Sequence, residues 1–371
     1  MLKTVNICGA RPNLMKIAPL MRAYRKHEEI EPVLVHTGQH YDDNMSDLFF
    51  RQLNIPEPDI NLGVGSASHT VQTAEIMKRF EPVLEEQRPD WVVVVGDVNS
   101  TIACGLVATK LGIKLAHVEA GLRSFDHTMP EEINRLLTDA ISDMLFVSEP
   151  SGLENLKREG IDDRKVHFVG NVMIDTLKAN LERAGQSTVL EDMNLHPGAY
   201  NVLTLHRPSN VDDPATFGRI ADALEIIQDD LPTVFPMHPR TAHNLSRLGL
   251  ANRLRGMKRL RIVEPMGYLS FLKLMSRAAV VLTDSGGMQE ETTILGVWCL
   301  TVRENTERPV TVTGGTNTVV GSDPARIVSA YRRCRSTPVL NPPMPDKWDG
   351  KAAGRIVECL LAAPAPRQKA V

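Results

Sequence analysis

Short apolar runs recur along nearly the whole chain, separated by longer amphipathic stretches. This alternation is the most restrictive feature of the sequence. Parallel strands need long crossovers, and an amphipathic helix is the usual one, so the pattern predicts α/β units with helix-wrapped parallel sheets. In the first half the runs are Thr4–Cys8, Pro32–His36, Trp91–Val95, Lys114–His117, Asp143–Val147 and Lys165–Val169. Trp91–Val95 is apolar at successive positions, as a strand buried on both faces must be. A second series runs through Asn201–Leu205, Thr233–Pro236, Leu260–Val263, Val280–Thr283 and Val297–Val302. Between the series, a polar stretch from Thr176 to Tyr200 with Gly185 and Pro197-Gly198 reads as a linker. The expected organisation is two Rossmann-like, doubly wound domains, 1–175 and 200–350, with a cleft between them. Residues 351–371 then form a last helix and a frayed tail from Ala362.

The chain has 371 residues, enough for two such cores. Its formal charge of -3 leaves no basic excess for neutralising a nucleic acid. No apolar stretch approaches the roughly 20 residues that cross a bilayer, and the N-terminus lacks a signal-peptide pattern. The 5 cysteines are scattered and never form a CxxC pair, which predicts buried thiols of a cytoplasmic protein.

Chemistry-bearing residues collect where strands are expected to end, as ligand sites in doubly wound sheets do. Gly9-Ala-Arg-Pro-Asn-Leu-Met-Lys16 follows the first strand. Its backbone amides, Arg11 and Lys16 suit an anion, although a purely structural turn fits the same residues. Asp97 follows Trp91–Val95 and suits a helix cap or a reactive carboxylate. His117-Val-Glu119 follows next; its His-x-Glu lacks the PCxxC of zinc deaminases. Glu131 and Glu132 open a helix behind Pro130, where acidic residues complement the helix dipole. Three carboxylates, Asp97, Glu119 and Glu131, at one sheet edge should raise each other's pKa, which is costly without a use such as proton transfer. In the second half His206 lies beyond a strand as a candidate acid or anion ligand, and His238 is a weaker one. The histidines and nearby acids form no metal set. In Val281-Leu-Thr-Asp-Ser-Gly-Gly-Met-Gln-Glu-Glu291 a buried strand breaks at Ser285, Gly286 and Gly287 and a helix begins. Those glycines let a diphosphate approach backbone amides, and Glu291, about one turn on, can accept ribose hydroxyls.

Together and in order, GARPNLMKIAPL, HTGQH, VGDVNST, HVEAGLRS, MPEEINRLLTD, GNVMIDTL, LHRPSNVD, TDSGGMQEE and TERPVTVTGGT resemble the non-hydrolysing UDP-N-acetylglucosamine 2-epimerases. The resemblance covers about residues 5–325. It implies the GT-B architecture, a last helix crossing back to the first domain, and a homodimer without metal or cofactor. It implies C2 epimerisation of UDP-N-acetylglucosamine to the manno epimer, supplying surface polysaccharide, by elimination of UDP and its re-addition. Residue by residue, it implies that Ser285, Gly286 and Gly287 hold the diphosphate, Glu291 the ribose, and Arg11 the nucleotide. Lys16, Asp97, Glu119, Glu131 and His206 match the family's catalytic cluster. Relatives acting on a UDP-2,3-diacetamido-uronic acid, or releasing free N-acetylmannosamine, share that cluster, and a GT-B glycosyltransferase would share the UDP site. Many bacterial members bind a second substrate molecule as activator through a stretch resembling Gln-His-Arg-x-Met-Leu. Gln39-His40-Tyr41-Asp42-Asp43-Asn44 here trades the basic residue for an aromatic and two acids, which predicts hyperbolic kinetics without an activator.

Overall fold

The computed structural model describes residues 1–38, 50–237, 239–339 and 344–364. The Gln39–Asn44 stretch, His238 and the end of the tail lie outside the described residues, as does the side chain of Arg11.

The chain divides into two compact units, one of Met1–Ala179 with the residues from Asp346 onward, the other Asn180–Pro345. The first unit holds a seven-stranded sheet: β1 (Leu2–Cys8), β2 (Ile30–His36), β3 (Ile60–Asn61), β4 (Trp91–Val95), β5 (Lys114–Ala120), β6 (Met144–Val147) and β7 (Val166–Phe168). Their spatial order is β3-β2-β1-β4-β5-β6-β7, and every pair is parallel. The second unit holds β8 (Asn201–Thr204), β9 (Thr233–Pro236), β10 (Leu260–Val263), β11 (Val280–Thr283), β12 (Trp298–Thr301) and β13 (Asn317–Val319) in the order β10-β9-β8-β11-β12-β13, again parallel. Both are Rossmann-like orders. In each the winding reverses between two central strands, β1 and β4 or β8 and β11, and the crevice beyond their carboxyl ends is where such sheets bind ligands.

The apolar runs form strands because helices cover both sheet faces. Val92 and Val94 pack with Phe80, Leu84, Cys104 and Val107, while Leu203, Val280 and Leu282 pack with Phe217, Leu224 and Tyr331.

Two expectations are corrected. The stretch from Thr176 holds the division between the units but is partly helical: a helix, Val172–Gly185, runs through its start and a short helix, Val189–Asp192, follows. Leu177 and Ala184 are buried, and that burial supplies what the polar composition does not suggest. Glu119 does not follow its strand either; β5 continues to Ala120 through a register shift between Val118 and Ala120.

The closing helix, Ala352–Ala362, packs on the first unit's helix Arg11–Tyr24. Its amides at Ala352 and Ala353 donate to the Asp175 carboxylate at 3.1 and 2.8 Å. Just before it, fully buried Trp348 donates from Nε1 to the Ser148 carbonyl at 2.8 Å.

Candidate functional site

In the first unit the site begins where β1 ends. Gly9 admits no side chain, since a Cβ there would lie 2.1 Å from Ser100 Oγ and 2.3 Å from Thr37 Oγ1. The helix Arg11–Tyr24 starts two residues later, and Asn13 locks its first turn to β4: Oδ1 accepts from the Ala10 amide at 3.1 Å, and Nδ2 donates to the Val95 carbonyl at 2.9 Å. One turn on, Lys16 is buried with its ammonium 2.7 Å from Glu119 Oε2. Glu119 sits at the bulge of β5 with φ +75°, a left-handed backbone that a residue with a Cβ adopts at a cost of about 1–3 kcal/mol. The bulge turns its carboxylate toward Lys16, and such strain concentrates at working sites.

Asp97 follows Gly96, whose own φ is +67°. A Cβ on Gly96 would lie 2.6 Å from the Lys16 ammonium, so the Asp97 turn and the Lys16–Glu119 pair are neighbours. Arg135, buried in the helix Pro130–Ile141, donates from Nη1 to Asp97 Oδ2 at 2.6 Å. Its Nε donates at 3.1 Å to Glu132 Oε2. The Glu132 carboxylate also accepts the Ser124 amide and hydroxyl and the Phe125 amide. Burial pushes Glu132 up, but the Ser124 amide, the Arg135 charge and the Phe125 amide outweigh it and hold it below the usual carboxylate range. Glu132 is therefore the clamp of the loop, while its neighbour Glu131, half-buried in the same first turn, makes no hydrogen bond or ion pair among the described residues.

Two of the three carboxylates also sit in ion pairs. Asp97 pairs with a guanidinium at 2.6 Å and Glu119 with an ammonium at 2.7 Å, so each carries a cation partner beside it. His117 lies below them with Nε2 donating to the Gly96 carbonyl at 2.8 Å and Nδ1 2.6 Å from Asp139. It supports the floor and faces no opening, being fully buried.

In the second unit, β11 ends at Thr283, and the helix Gly286–Leu295 begins after Ser285. The Ser285 side chain makes no capping bond, so the helix N-terminus keeps its amides for another acceptor. A Cβ on Gly286 would lie 2.9 Å from Arg308 Nη1, so the guanidinium would have to give way. Behind it runs a buried alternation of charge: Arg303 pairs with Glu307 at 2.8 Å, Glu307 with Arg308 at 2.8 Å, and Arg308 with Glu290 at 2.8 Å. Arg207 approaches Glu307 at 3.6 Å, which adds positive charge beside the same turn. Glu291, buried one turn into the helix, accepts the Tyr268 hydroxyl on Oε1 at 2.9 Å. Burial, reinforced by the Glu291 charge, pushes that phenol well up, so it stays a donor.

His206 lies two residues beyond β8, its side chain about half exposed at 54%. Its Nδ1 is 2.8 Å from Oδ1 of Asp284, which is fully buried. Reading the sequence gives no role to Asn13, Arg135, Asp139, Tyr268, Asp284 or the Arg303–Glu307–Arg308 chain. Their meaning lies in contacts between distant positions, and no local spacing encodes it.

Carboxylates at the strand ends of one doubly wound sheet and an uncapped helix N-terminus on a second suit an enzyme of nucleotide-linked sugars with GT-B-like architecture. Residues 22–361 match the family described as UDP-N-acetylglucosamine 2-epimerase. The UDP-N-acetylglucosamine 2-epimerase of Methanocaldococcus jannaschii is 45% identical over 335 residues, 87% of this chain and 90% of that one. The UDP-2,3-diacetamido-2,3-dideoxy-D-glucuronate 2-epimerase of Pseudomonas aeruginosa is 40% identical over 334 residues, 89% and 92% of the two chains. The crystal structure of the M. jannaschii enzyme in complex with UDP-GlcNAc and UDP superposes with a TM-score of 0.91 at 42% identity, covering 98% of this chain and 100% of that one. The chain belongs to the UDP-N-acetylglucosamine 2-epimerase family, and its class is that of the isomerases that act at C2 of UDP-sugars.

Proposed function

We propose that the protein interconverts UDP-N-acetylglucosamine and UDP-N-acetylmannosamine by eliminating UDP and adding it back, releasing no free sugar. The observation that carries this reading is the buried Lys16–Glu119 pair beside the Arg135-held Asp97 turn, at the carboxyl ends of β1, β4 and β5. The C2 hydrogen of such a sugar has no adjacent carbonyl, so abstraction to an enolate is closed. Expelling UDP breaks the C1–O bond while a carboxylate takes the C2 proton, and the electrons of the C2–H bond become the C1=C2 bond of a 2-acetamidoglucal. Re-addition reverses the flow: C2 receives a proton on its other face, and the diphosphate oxygen rejoins C1. Lys16, Asp97, Glu119, Glu131 and His206 form the acid–base set in this scheme. Ser285, Gly286 and Gly287 receive the diphosphate on helix amides, Arg11 meets the nucleotide, and Glu291 takes the ribose.

NMR of the purified protein with UDP-N-acetylglucosamine in heavy water tests this. The expected result is an equilibrium mixture of the two epimers, both carrying deuterium at C2. An epimer that keeps its original hydrogen, or the appearance of free N-acetylmannosamine, would overturn it. The 40% identity to the Pseudomonas enzyme favours a second reading, a UDP-2,3-diacetamido-uronic acid substrate. The same spectra recorded with that sugar decide which one turns over faster. Supply of surface polysaccharide, a cytoplasmic location and a homodimer go with the first reading. Sedimentation of the purified protein checks the dimer.

A further inference from the structure

A fully buried carboxylate in the second unit has no part in the scheme above, yet four donors converge on it. Asp284 lies between the end of β11 and the helix Gly286–Leu295, at the point where β8 and β11 lie side by side and the winding of the sheet reverses. Its Oδ2 accepts the backbone amides of His206 at 3.0 Å and Arg207 at 2.9 Å, and the Asn210 side-chain amide at 3.1 Å. Its Oδ1 lies 2.8 Å from His206 Nδ1. Even its carbonyl is used, accepting Arg207 Nε at 3.1 Å. Burial alone would push this carboxyl up, but the His206 ring and the Arg207 and His206 amides outweigh it and hold it below the usual range, as an anion at neutral pH.

An anion accepts and cannot donate. The His206 nitrogen facing it must therefore carry a proton in either charge state of the ring, which leaves Nε2 as the free position. The ring is about half exposed while Asp284 is not exposed at all, so the two nitrogens have separate duties, one buried and one presented to a ligand. We infer that Asp284 is the positioning residue of His206: it fixes the ring's tautomer and orientation so that Nε2 is the atom offered to the reacting nucleotide-sugar. The inference rests on the reading that His206 belongs to the acid–base set. It also explains why an aspartate stands directly before Ser285 and Gly286. A carboxylate there couples the histidine turn after β8 to the helix N-terminus after β11 within one residue.

The test combines 15N NMR of the histidine rings with kinetics. In the wild-type protein His206 should show a protonated Nδ1 across neutral pH, a result that needs no variant. Asp284→Asn keeps the volume and can still accept the amides, but its NH2 can donate to Nδ1 and flip the tautomer. The same exchange behind the catalytic histidine of serine proteases costs about 10⁴-fold in kcat. A fall in kcat of about 10²–10⁴-fold is expected here, with UDP affinity within about threefold of wild type. The loss should be non-additive: His206→Asn/Asp284→Asn should be about as slow as His206→Asn alone. An unprotonated Nδ1 in the wild type, or an Asp284→Asn effect of full size in the His206→Asn background, would overturn the inference. Failure of the functional reading looks different: wild-type protein that does not epimerise, with the ring tautomer unchanged.

Discussion

Lys16 and Glu119 show what a single buried pair demands. Replacing Lys16 by Met removes the ammonium 2.7 Å from a carboxylate that the β5 bulge holds inside. The first unit should lose about 3–5 kcal/mol in denaturant unfolding, because breaking a buried pair costs far more than forming it gains. Amide replacements test chemistry more gently. Asp97→Asn, Glu119→Gln, Glu131→Gln and His206→Asn should each lower turnover by about 100-fold or more, with UDP affinity near wild type. Normal turnover of the Glu131 variant would return that residue to its helix-dipole role. Asp139 makes a pH prediction. Burial pushes it up, but His117 and Arg123 outweigh that and hold it below its unfolded value. A depressed carboxylate contributes stability that is fully present above the unfolded pKa and lost as the pH falls through the folded one. Acid unfolding should therefore steepen below about pH 4, and Asp139→Asn should flatten that limb while lowering stability at pH 7.

The helix Gly286–Leu295 carries the sharpest prediction at the level of elements. Gly286→Ala puts a methyl 2.9 Å from Arg308 Nη1 and 3.1 Å from Glu307, so the charge chain must shift beside the amides proposed to receive a diphosphate. UDP binding measured by calorimetry should weaken by about 1–3 kcal/mol, the usual range for overpacking. Glu291→Ala should weaken UDP by about the same amount, through loss of charge-assisted bonds to ribose. Elements also show how far the sequence can be read. The strands Trp91–Val95, Thr233–Pro236, Leu260–Val263 and Val280–Thr283 have the bounds their apolar runs predict; Trp91–Val95 and Val280–Thr283 are buried at every position, as strands covered on both faces are, while the edge strand Leu260–Val263 leaves Arg261 and Ile262 exposed. Ile60–Asn61 and Asn317–Val319 escape notice, being edge strands too short to set up a periodicity. The helix Val172–Gly185 hides because its burial comes from tertiary partners rather than from composition. Glu119 is legible as a residue type, but its left-handed backbone is not. Arg135 and Asp284 are plain polar letters until residues 38 and 78 positions earlier arrive beside them.

Each unit has its own core, so the whole molecule should unfold in two calorimetric steps. UDP at about 100 times its Kd should stabilise the second unit's step by roughly 2.7 kcal/mol and leave the first unit's nearly unchanged. Asp175→Ala, which uncaps the closing helix at Ala352 and Ala353, should destabilise the first unit by about 1–2 kcal/mol.

That closing segment also sets an order of events during synthesis. A unit made of Met1–Ala179 and the residues from Asp346 onward cannot complete itself as its first half leaves the ribosome. Trp348 and the buried face of Ala352–Ala362 are still untranslated then, while the intervening unit is contiguous and can fold as soon as it emerges. The nascent chain therefore carries a finished second unit behind an unsealed first one, and a chain cut short before Asp346 leaves the first unit unsealed. Synthesis of the segment from Asp346 to Ala362 is, for this fold, what lets the first unit close.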